Sequence, residues 1–154
     1  MADAAALQAW PSRRWADVSA RDFALAQRSG LAAQTVAILP VGAVEQHGPH
    51  LPLKVDTALV EGVVDAALPL MAADVPVLVL PTQAIGLSLE HQDYAGTLSL
   101  SPATLLAVWT ELGVCVARAG VKKLLIFNAN GGNVSSMDNV GRQRRMQFGL
   151  LVYH

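Results

Sequence analysis

The sequence predicts an α/β fold with three layers, α-β-α, in which a mainly parallel sheet lies between helices. Short apolar segments alternate with segments of helical periodicity along the 154 residues. The short segments are hydrophobic nearly throughout, which is typical of parallel strands that are covered on both faces. A chain of this length without an internal repeat or low-complexity linker is expected to form one domain over residues 1–154.

The first half of the chain contains a helix, a strand and a second helix. Ser19 has the spacing of a capping box, which begins a short helix that ends at Gly30. Residues 35–41 form an apolar, β-branched strand. Residues 57–68 have helical periodicity, so Asp56 lies at a helix N-terminus, where the dipole favours a carboxylate. The predicted apolar stripe of this helix consists of Leu59, Val60, Val63, Val64, Ala67 and Leu68.

The second strand covers residues 77–80 and leads into a long loop over residues 82–100. Loops of that length in compact domains are usually functional or disordered. Ser101 caps the next helix, which has proline at its first position and ends at Gly120. The predicted apolar stripe of this helix is Leu105, Leu106, Val108, Trp109, Leu112 and Val116.

A third strand over residues 121–127 precedes a helix that extends to about Gln147 and stops at Gly149, and a final strand starts at Leu150. Right-handed crossovers between such strands place helices on both faces of the sheet. Because ligands bind at the carboxyl ends of parallel strands, the loops that follow the strands are expected to meet on one rim.

The composition is more apolar than an ordinary soluble surface requires. Hydrophobic residues make up 53% against 15% charged residues, and the mean hydropathy is +0.38. The excess is expected to face a partner, either a subunit interface or the remainder of a larger domain. A net charge of −1 gives no basic surface for nucleic acid or for an anionic membrane, and the cluster Arg142, Arg144 and Arg145 is interpreted as a solvated helix face.

The single cysteine, Cys115, cannot form an internal disulfide and is interpreted as a small core residue in a reducing compartment. The N-terminal residues do not have the pattern of a targeting segment, and no apolar stretch reaches membrane-spanning length. The sequence therefore predicts a cytoplasmic protein.

Residues 39–56 place metal-binding chemistry directly after a buried strand. Glu45 and His47 are two residues apart and project to one side of extended backbone, and the turn of glycine and prolines that follows allows Asp56 to fold back toward them. Carboxylate and imidazole ligands without thiolate suit Zn²⁺ or Mn²⁺. The alternative is a loop that contains only a structural ion pair.

Two further loops carry polar side chains. Ser88, Glu90 and His91 form either a lining of the site or a solvated loop. The glycines in residues 128–133 could form a phosphate cradle at a helix N-terminus, but the lysine and hydroxyl residue of a P-loop are absent.

These motifs resemble those of the creatininase family of metal-dependent amidohydrolases. The resemblance implies a creatininase-like fold and covers nearly the whole chain. Family members carry a further C-terminal portion, so we expect a chain that ends at His154 to be C-terminally incomplete. The matching residues are Glu45-Gln46-His47-Gly48, then Ser88, Glu90, His91, Gly96 and Thr97, and then Asn128-Ala129-Asn130-Gly131-Gly132-Asn133.

The resemblance implies a site for two ions, Zn²⁺ and/or Mn²⁺. Glu45 and His47 would each bind one ion, and Asp56 would bridge both. Asn130 occupies a position where relatives carry a ligand histidine, and an amide oxygen is a weaker donor for Zn²⁺. Creatininase itself has a ligand glutamate at the position of Gly132.

The resemblance also implies the reaction. The protein is expected to hydrolyse a cyclic or linear amide in a small molecule with a metal-bridged hydroxide. Ser88 and Glu90 would contact the substrate, and His91 could replace a general acid that relatives supply from their C-terminal portion. The family favours a homo-oligomer and does not choose among substrates. The alternative is a noncatalytic structural homologue or fragment with an incomplete metal site.

Overall fold

The computed structural model describes residues 7–137 and 150–154 and confirms the predicted α/β fold. Four strands form a sheet in the order β2-β1-β3-β4, and all neighbouring pairs are parallel. The strands are β1 (Val36–Val41), β2 (Val77–Val79), β3 (Lys123–Asn128) and β4 (Leu151–Tyr153). The helices are α1 (Ala20–Ser29), α2 (Leu31–Gln34), α3 (Val55–Ala67) and α4 (Pro102–Arg118). The predicted helix after β3 is described only at its start, where residues 134–137 are helical. Its predicted end at about Gln147, the stop at Gly149 and the cluster Arg142, Arg144 and Arg145 lie outside the described residues.

Local capping sets the helix boundaries as predicted. Ser19 accepts a hydrogen bond from the Asp22 N–H and completes a capping box at the start of α1, and Gly30 ends that helix with a φ of 84°. Ser101 accepts a hydrogen bond from the Thr104 N–H at the start of α4. These boundaries depend on side chains close in sequence, and the sequence pattern therefore predicted them well.

The larger part of the core lies between α4 and one face of the sheet. Leu105 and Trp109 of α4 are fully buried, and they belong to the same cluster as Leu39 of β1 and Ile126 of β3. A smaller cluster on the opposite face joins Val64 of α3 to buried side chains of β1 and β2. The sheet is therefore covered by helices on both faces, as its apolar strands require.

Three predicted core positions are exposed instead. Leu59 and Val63 of α3 are 56% and 51% exposed, whereas Val60 and Val64 are buried. Because successive helical positions differ by about 100°, the sheet covers the stripe of residues 60 and 64 and leaves the adjacent stripe in solvent. The interpretation of Cys115 as a core residue is wrong for the same reason, because this thiol is exposed next to the buried stripe of α4.

The loops that follow β1, β2 and β3 meet on one rim of the sheet, and we call them the first loop (residues 42–54), the second loop (residues 80–101) and the third loop (residues 129–133). The Gly42 N–H donates to the Gln83 carbonyl at 3.0 Å, and the Ala129 N–H donates to the Val41 carbonyl at 3.0 Å. The segments after β2 and β3 are thus hydrogen bonded to the segment after β1, and all predicted site residues lie at this rim. In the described ranges, no helix combines the length and the apolar character that crossing a bilayer requires.

Candidate metal centre

The structure brings Glu45, His47 and Asp56 together. One ligand atom from each residue lies within 4.8 Å of the other two. The Glu45 N–H donates to the Leu53 carbonyl at 3.1 Å, which closes the intervening loop, and the Thr57 hydroxyl donates to the Ala43 carbonyl at 3.2 Å. These bonds return the start of α3 to the end of β1, so residues eleven positions apart in the chain become neighbours in space.

The hydrogen bonds of His47 orient it for cation binding. Its Nδ1 lies 3.1 Å from the Glu45 carbonyl oxygen, which can only accept, so Nδ1 carries a proton. The lone pair of a neutral His47 is then on Nε2, which lies 3.1 Å from Asp56 Oδ1. Two acceptors at this separation need either a metal ion or a proton between them, and that proton can belong to the ring or to the Asp56 carboxyl. Two ligands of a tetrahedral zinc ion, each about 2.0 Å from it, would lie about 3.3 Å apart.

The carboxylates of this cluster are buried close to each other. Glu45 and Asp56 are 6% and 5% exposed, and Glu45 Oε2 has no hydrogen-bond partner among the described residues. Burial raises the pKa of Asp56, the charge of His47 opposes that shift, and the nearby Glu45 carboxylate adds to it. A divalent cation would compensate both negative charges and would give Oε2 a partner, so the residues present fit a metal ion.

His91 from the second loop contacts this cluster from the side. Its Nε2 lies 3.5 Å from Glu45 Oε1, and its Nδ1 lies 3.0 Å from the side-chain nitrogen of Gln46. The short helical turn Leu89–His91 carries the ring to this position. The structure thus places His91 beside the predicted ligands, at the side of Glu45.

The other two predicted residues of the second loop differ from each other in exposure. Ser88 is fully buried, and its hydroxyl has no hydrogen-bond partner among the described residues. Glu90 is exposed, and its carboxylate points toward the third loop, with Oε1 3.4 Å from the place where a Cβ of Gly132 would stand. Substrate contacts by Ser88 and Glu90 stay predictions.

Both polar atoms of the Asn130 side chain are used in backbone hydrogen bonds. Oδ1 accepts from the Gly132 N–H and Nδ2 donates to the Leu87 carbonyl, both at 3.0 Å. The amide therefore closes its own turn and holds the second loop, and Oδ1 keeps one lone pair for any further ligand. Metal binding by Asn130 stays a prediction, and the hydrogen bonds give this residue a structural role in addition.

Asn133 connects all three loops and was not singled out from the sequence. Its Oδ1 accepts from the Leu87 N–H at 2.9 Å, and its Nδ2 donates to the Gly42 carbonyl at 3.2 Å and to Asn128 Oδ1 at 3.0 Å. Asn133 is fully buried. The asparagine-rich composition of the turn was the available signal, but composition does not say which amide reaches which loop.

Comparisons with known proteins point to one family of enzymes. The sequence profile of the creatininase family, described as creatinine amidohydrolase, matches residues 21–153. A mycofactocin precursor peptide peptidase from Mycobacterium tuberculosis is 38% identical over 106 residues, which cover 65% of this chain and 42% of the relative. A creatinine amidohydrolase from Pseudomonas putida is 32% identical over 107 residues, which cover 66% of this chain and 40% of the relative.

Solved structures of the family have the same fold. A structure described as creatininase Mn superimposes with a TM-score of 0.72 at 26% identity and covers 92% of this chain and 58% of its own. A mutant creatininase described as Zn-Zn type gives a TM-score of 0.71 at 26% identity, with 92% and 57% coverage. The chain thus spans less than half the length of the curated relatives that it matches and somewhat more than half the length of these solved chains.

Proposed function

Since the chain belongs to the creatininase family, we propose that it is a metal-dependent hydrolase that cleaves an amide C–N bond. The observation that carries this proposal is the convergence of Glu45, His47 and Asp56, with a buried carboxylate oxygen that has no protein partner among the described residues. Relatives are named for peptide cleavage and for creatinine hydrolysis. We therefore propose a cyclic or linear amide of a small molecule or short peptide as the substrate class.

Glu45 would hold the metal through Oε2, His47 through Nε2, and Asp56 would bridge two ions. The choice of Zn²⁺ or Mn²⁺ is supported by the ligand types and by the two related structures, which are described as Mn and as Zn-Zn forms of creatininase. Bound metal would supply Lewis-acid activation of water and of the amide carbonyl. The chain itself contributes the orientation of His47 through the Glu45 carbonyl and a largely buried position for both carboxylates.

Elemental analysis after dialysis against Zn²⁺ or Mn²⁺ tests the site. We expect about two ions per chain, and Asp56→Ala should weaken both ions together because it removes the bridging carboxylate. Asp93→Ala removes an exposed carboxylate of the second loop and serves as the control for charge. Wild-type stoichiometry and affinity in Asp56→Ala would refute the assignment.

The second candidate is a structural homologue without a complete metal site. The observation that favours it is the use of both amide atoms of Asn130 in backbone hydrogen bonds at a position where a ligand is expected. Metal content separates the two candidates. A folded chain that binds no Zn²⁺ or Mn²⁺ would support the structural homologue.

We also propose that the protein forms a homo-oligomer. Exposed apolar side chains on and next to α3 support this, because Leu59, Val63 and Leu70 are 56%, 51% and 86% exposed. Sedimentation velocity at micromolar concentration tests the proposal. A single monomeric species would contradict it, and a charged substitution at Leu59 should weaken the assembly if α3 lies in the interface.

A further inference from the structure

The side-chain amide of Gln46 has a defined orientation between two partners. The Gly48 N–H donates to Gln46 Oε1 at 2.9 Å, so the oxygen of the amide faces the backbone. Gly48 has a φ of 80°, and this left-handed turn is readily available to glycine. The amide nitrogen of Gln46 must then face the other partner, which is the His91 ring.

The orientation of Gln46 determines where His91 carries its proton. The nitrogen of Gln46 is a donor only, and it lies 3.0 Å from His91 Nδ1. His91 Nδ1 must therefore accept with its lone pair, and the one proton of a neutral ring is on Nε2. Nε2 is the nitrogen that lies 3.5 Å from Glu45 Oε1.

We propose that Gln46 is a positioning residue that holds His91 as the Nε2–H tautomer, so that His91 acts as a neutral hydrogen-bond donor at the candidate metal centre. This role differs from the general acid that the sequence suggested. A histidine that gives up a proton as a general acid must first carry a proton on both nitrogens, and a proton on Nδ1 would face the N–H of Gln46.

The consequence for the reaction rests on the proposed function. A neutral Nε2–H can donate a hydrogen bond to the amide oxygen as that oxygen gains negative charge, and no proton is transferred in this step. The Nε2 proton also prevents His91 from becoming a metal ligand, because a ligand nitrogen must have a free lone pair. His47, whose proton is on Nδ1, has the opposite arrangement and is free to bind metal through Nε2.

Nitrogen NMR of the imidazole rings in the full chain tests the tautomer directly. The chain contains four histidines, and a His91→Gln variant assigns the signals of that ring. In the wild type, with or without Zn²⁺, we expect an unprotonated Nδ1 and a protonated Nε2. A proton on Nδ1 in the wild type would overturn the proposal.

Gln46→Glu is the matched perturbation, because it replaces the donor by an acceptor with nearly the same shape and leaves an oxygen for the Gly48 N–H. His91 Nδ1 should become protonated in this variant. Gln92→Glu introduces the same charge at an exposed neighbour of His91 and should leave Nδ1 unprotonated. Should Gln46→Glu not fold, Gln46→Met removes the donor without adding charge, and the tautomer preference should then be lost. An unchanged Nδ1 in whichever Gln46 variant folds would refute the positioning role.

A kinetic comparison separates the tautomer from the proposed function. If the zinc-loaded chain hydrolyses an amide, His91→Leu should lower kcat by about 100-fold to 1,000-fold, the usual effect of removing one donor to a developing oxyanion. His91→Gln retains an N–H donor but cannot act as an acid, so it should recover part of that loss. Equal losses in both variants would overturn the hydrogen-bond role. Absence of any hydrolysis would count against the proposed function, whereas the NMR result would still decide the tautomer.

Discussion

Gly132→Ala should destabilise the protein strongly, while the same change one residue earlier should not. A Cβ at residue 132 would lie 2.1 Å from the Leu87 carbonyl oxygen and 3.2 Å from its carbon, whereas a Cβ at residue 131 would meet nothing within 4 Å. Ordinary contacts between carbon and oxygen are about 3.3–3.6 Å, so the backbone at residue 87 or 132 would have to move by about 1 Å or more. Neither glycine has a positive φ, so space rather than backbone conformation decides the outcome.

The magnitude follows from the atom that is contacted. Overpacking costs typically about 1–3 kcal/mol, and we expect the upper end because the Leu87 carbonyl is backbone and cannot rotate away. Gly131→Ala should be neutral or stabilise by about 0.4–1 kcal/mol, because alanine reduces the entropy of the unfolded chain. Urea unfolding of the two variants and the wild type measures both values, on the condition that the dependence of the unfolding free energy on urea concentration is the same in all three proteins. Equal stability of Gly132→Ala and Gly131→Ala would refute the close approach of the two loops.

Three further predictions concern the site and its surroundings. Asn133→Ala leaves the buried Leu87 N–H and Gly42 carbonyl without this partner and should lower the unfolding free energy by about 2–6 kcal/mol. Gln27→Ala, the control, removes one exposed hydrogen bond to the Arg118 carbonyl and should lower it by less than about 1 kcal/mol in the same urea experiment. The folded state raises the pKa of Asp56 above 3.8, so the native metal-free protein binds the Asp56 proton more tightly than the unfolded chain does. The free energy of unfolding should therefore fall as the pH rises from about 3.8 through the raised pKa. Asp56→Asn should remove this dependence of the unfolding free energy on pH. If unfolding curves measured over a series of pH values show the same dependence in this variant, Asp56 is not its cause. Cys115 should react with a thiol reagent in the native protein without denaturant, and a thiol that reacts only after unfolding would contradict its exposure.

The parts of the fold that depend on neighbouring residues were predictable from the sequence. Ser19 and Ser101 each accept a hydrogen bond from an N–H group in the first turn of the helix that they begin. The strands are covered on both faces and are therefore apolar nearly throughout, so they can be recognised without knowing which face points to which helix. The order of the strands could not be read in this way, because the side of β1 on which β2 or β3 lies is decided by pairing between distant segments. The rule that ligands bind at the carboxyl ends of the strands holds for either order, so the rim was still predictable.

The parts of the site that depend on distant partners were not predictable. The spacing of Glu45 and His47 indicates a shared side of the backbone, but nothing in the spacing shows that Gln46 reaches a ring 45 residues later in the chain. The exposure of Leu59 could not be predicted for the same reason. Helical periodicity identifies an apolar stripe, and only packing against the sheet decides how much of that stripe is covered.

The three loops contribute different kinds of interaction to one centre. The first loop supplies the candidate ligands Glu45 and His47. The second loop supplies His91, and the position of this loop depends on the third. Asn130 and Asn133 of the third loop are hydrogen bonded to the backbone of Leu87, and the absence of a side chain at residue 132 lets the two loops touch. A displacement of the third loop would therefore move the His91 ring relative to Glu45. The first loop would lose its hydrogen bond from Asn133 to the Gly42 carbonyl, but it would keep its own bond between the Glu45 N–H and the Leu53 carbonyl. On this reasoning, the third loop should affect the hydrogen bond to the reacting oxygen more than it affects metal affinity, and Asn133→Ala should change the His91 ring signals even in molecules that remain folded and zinc-bound.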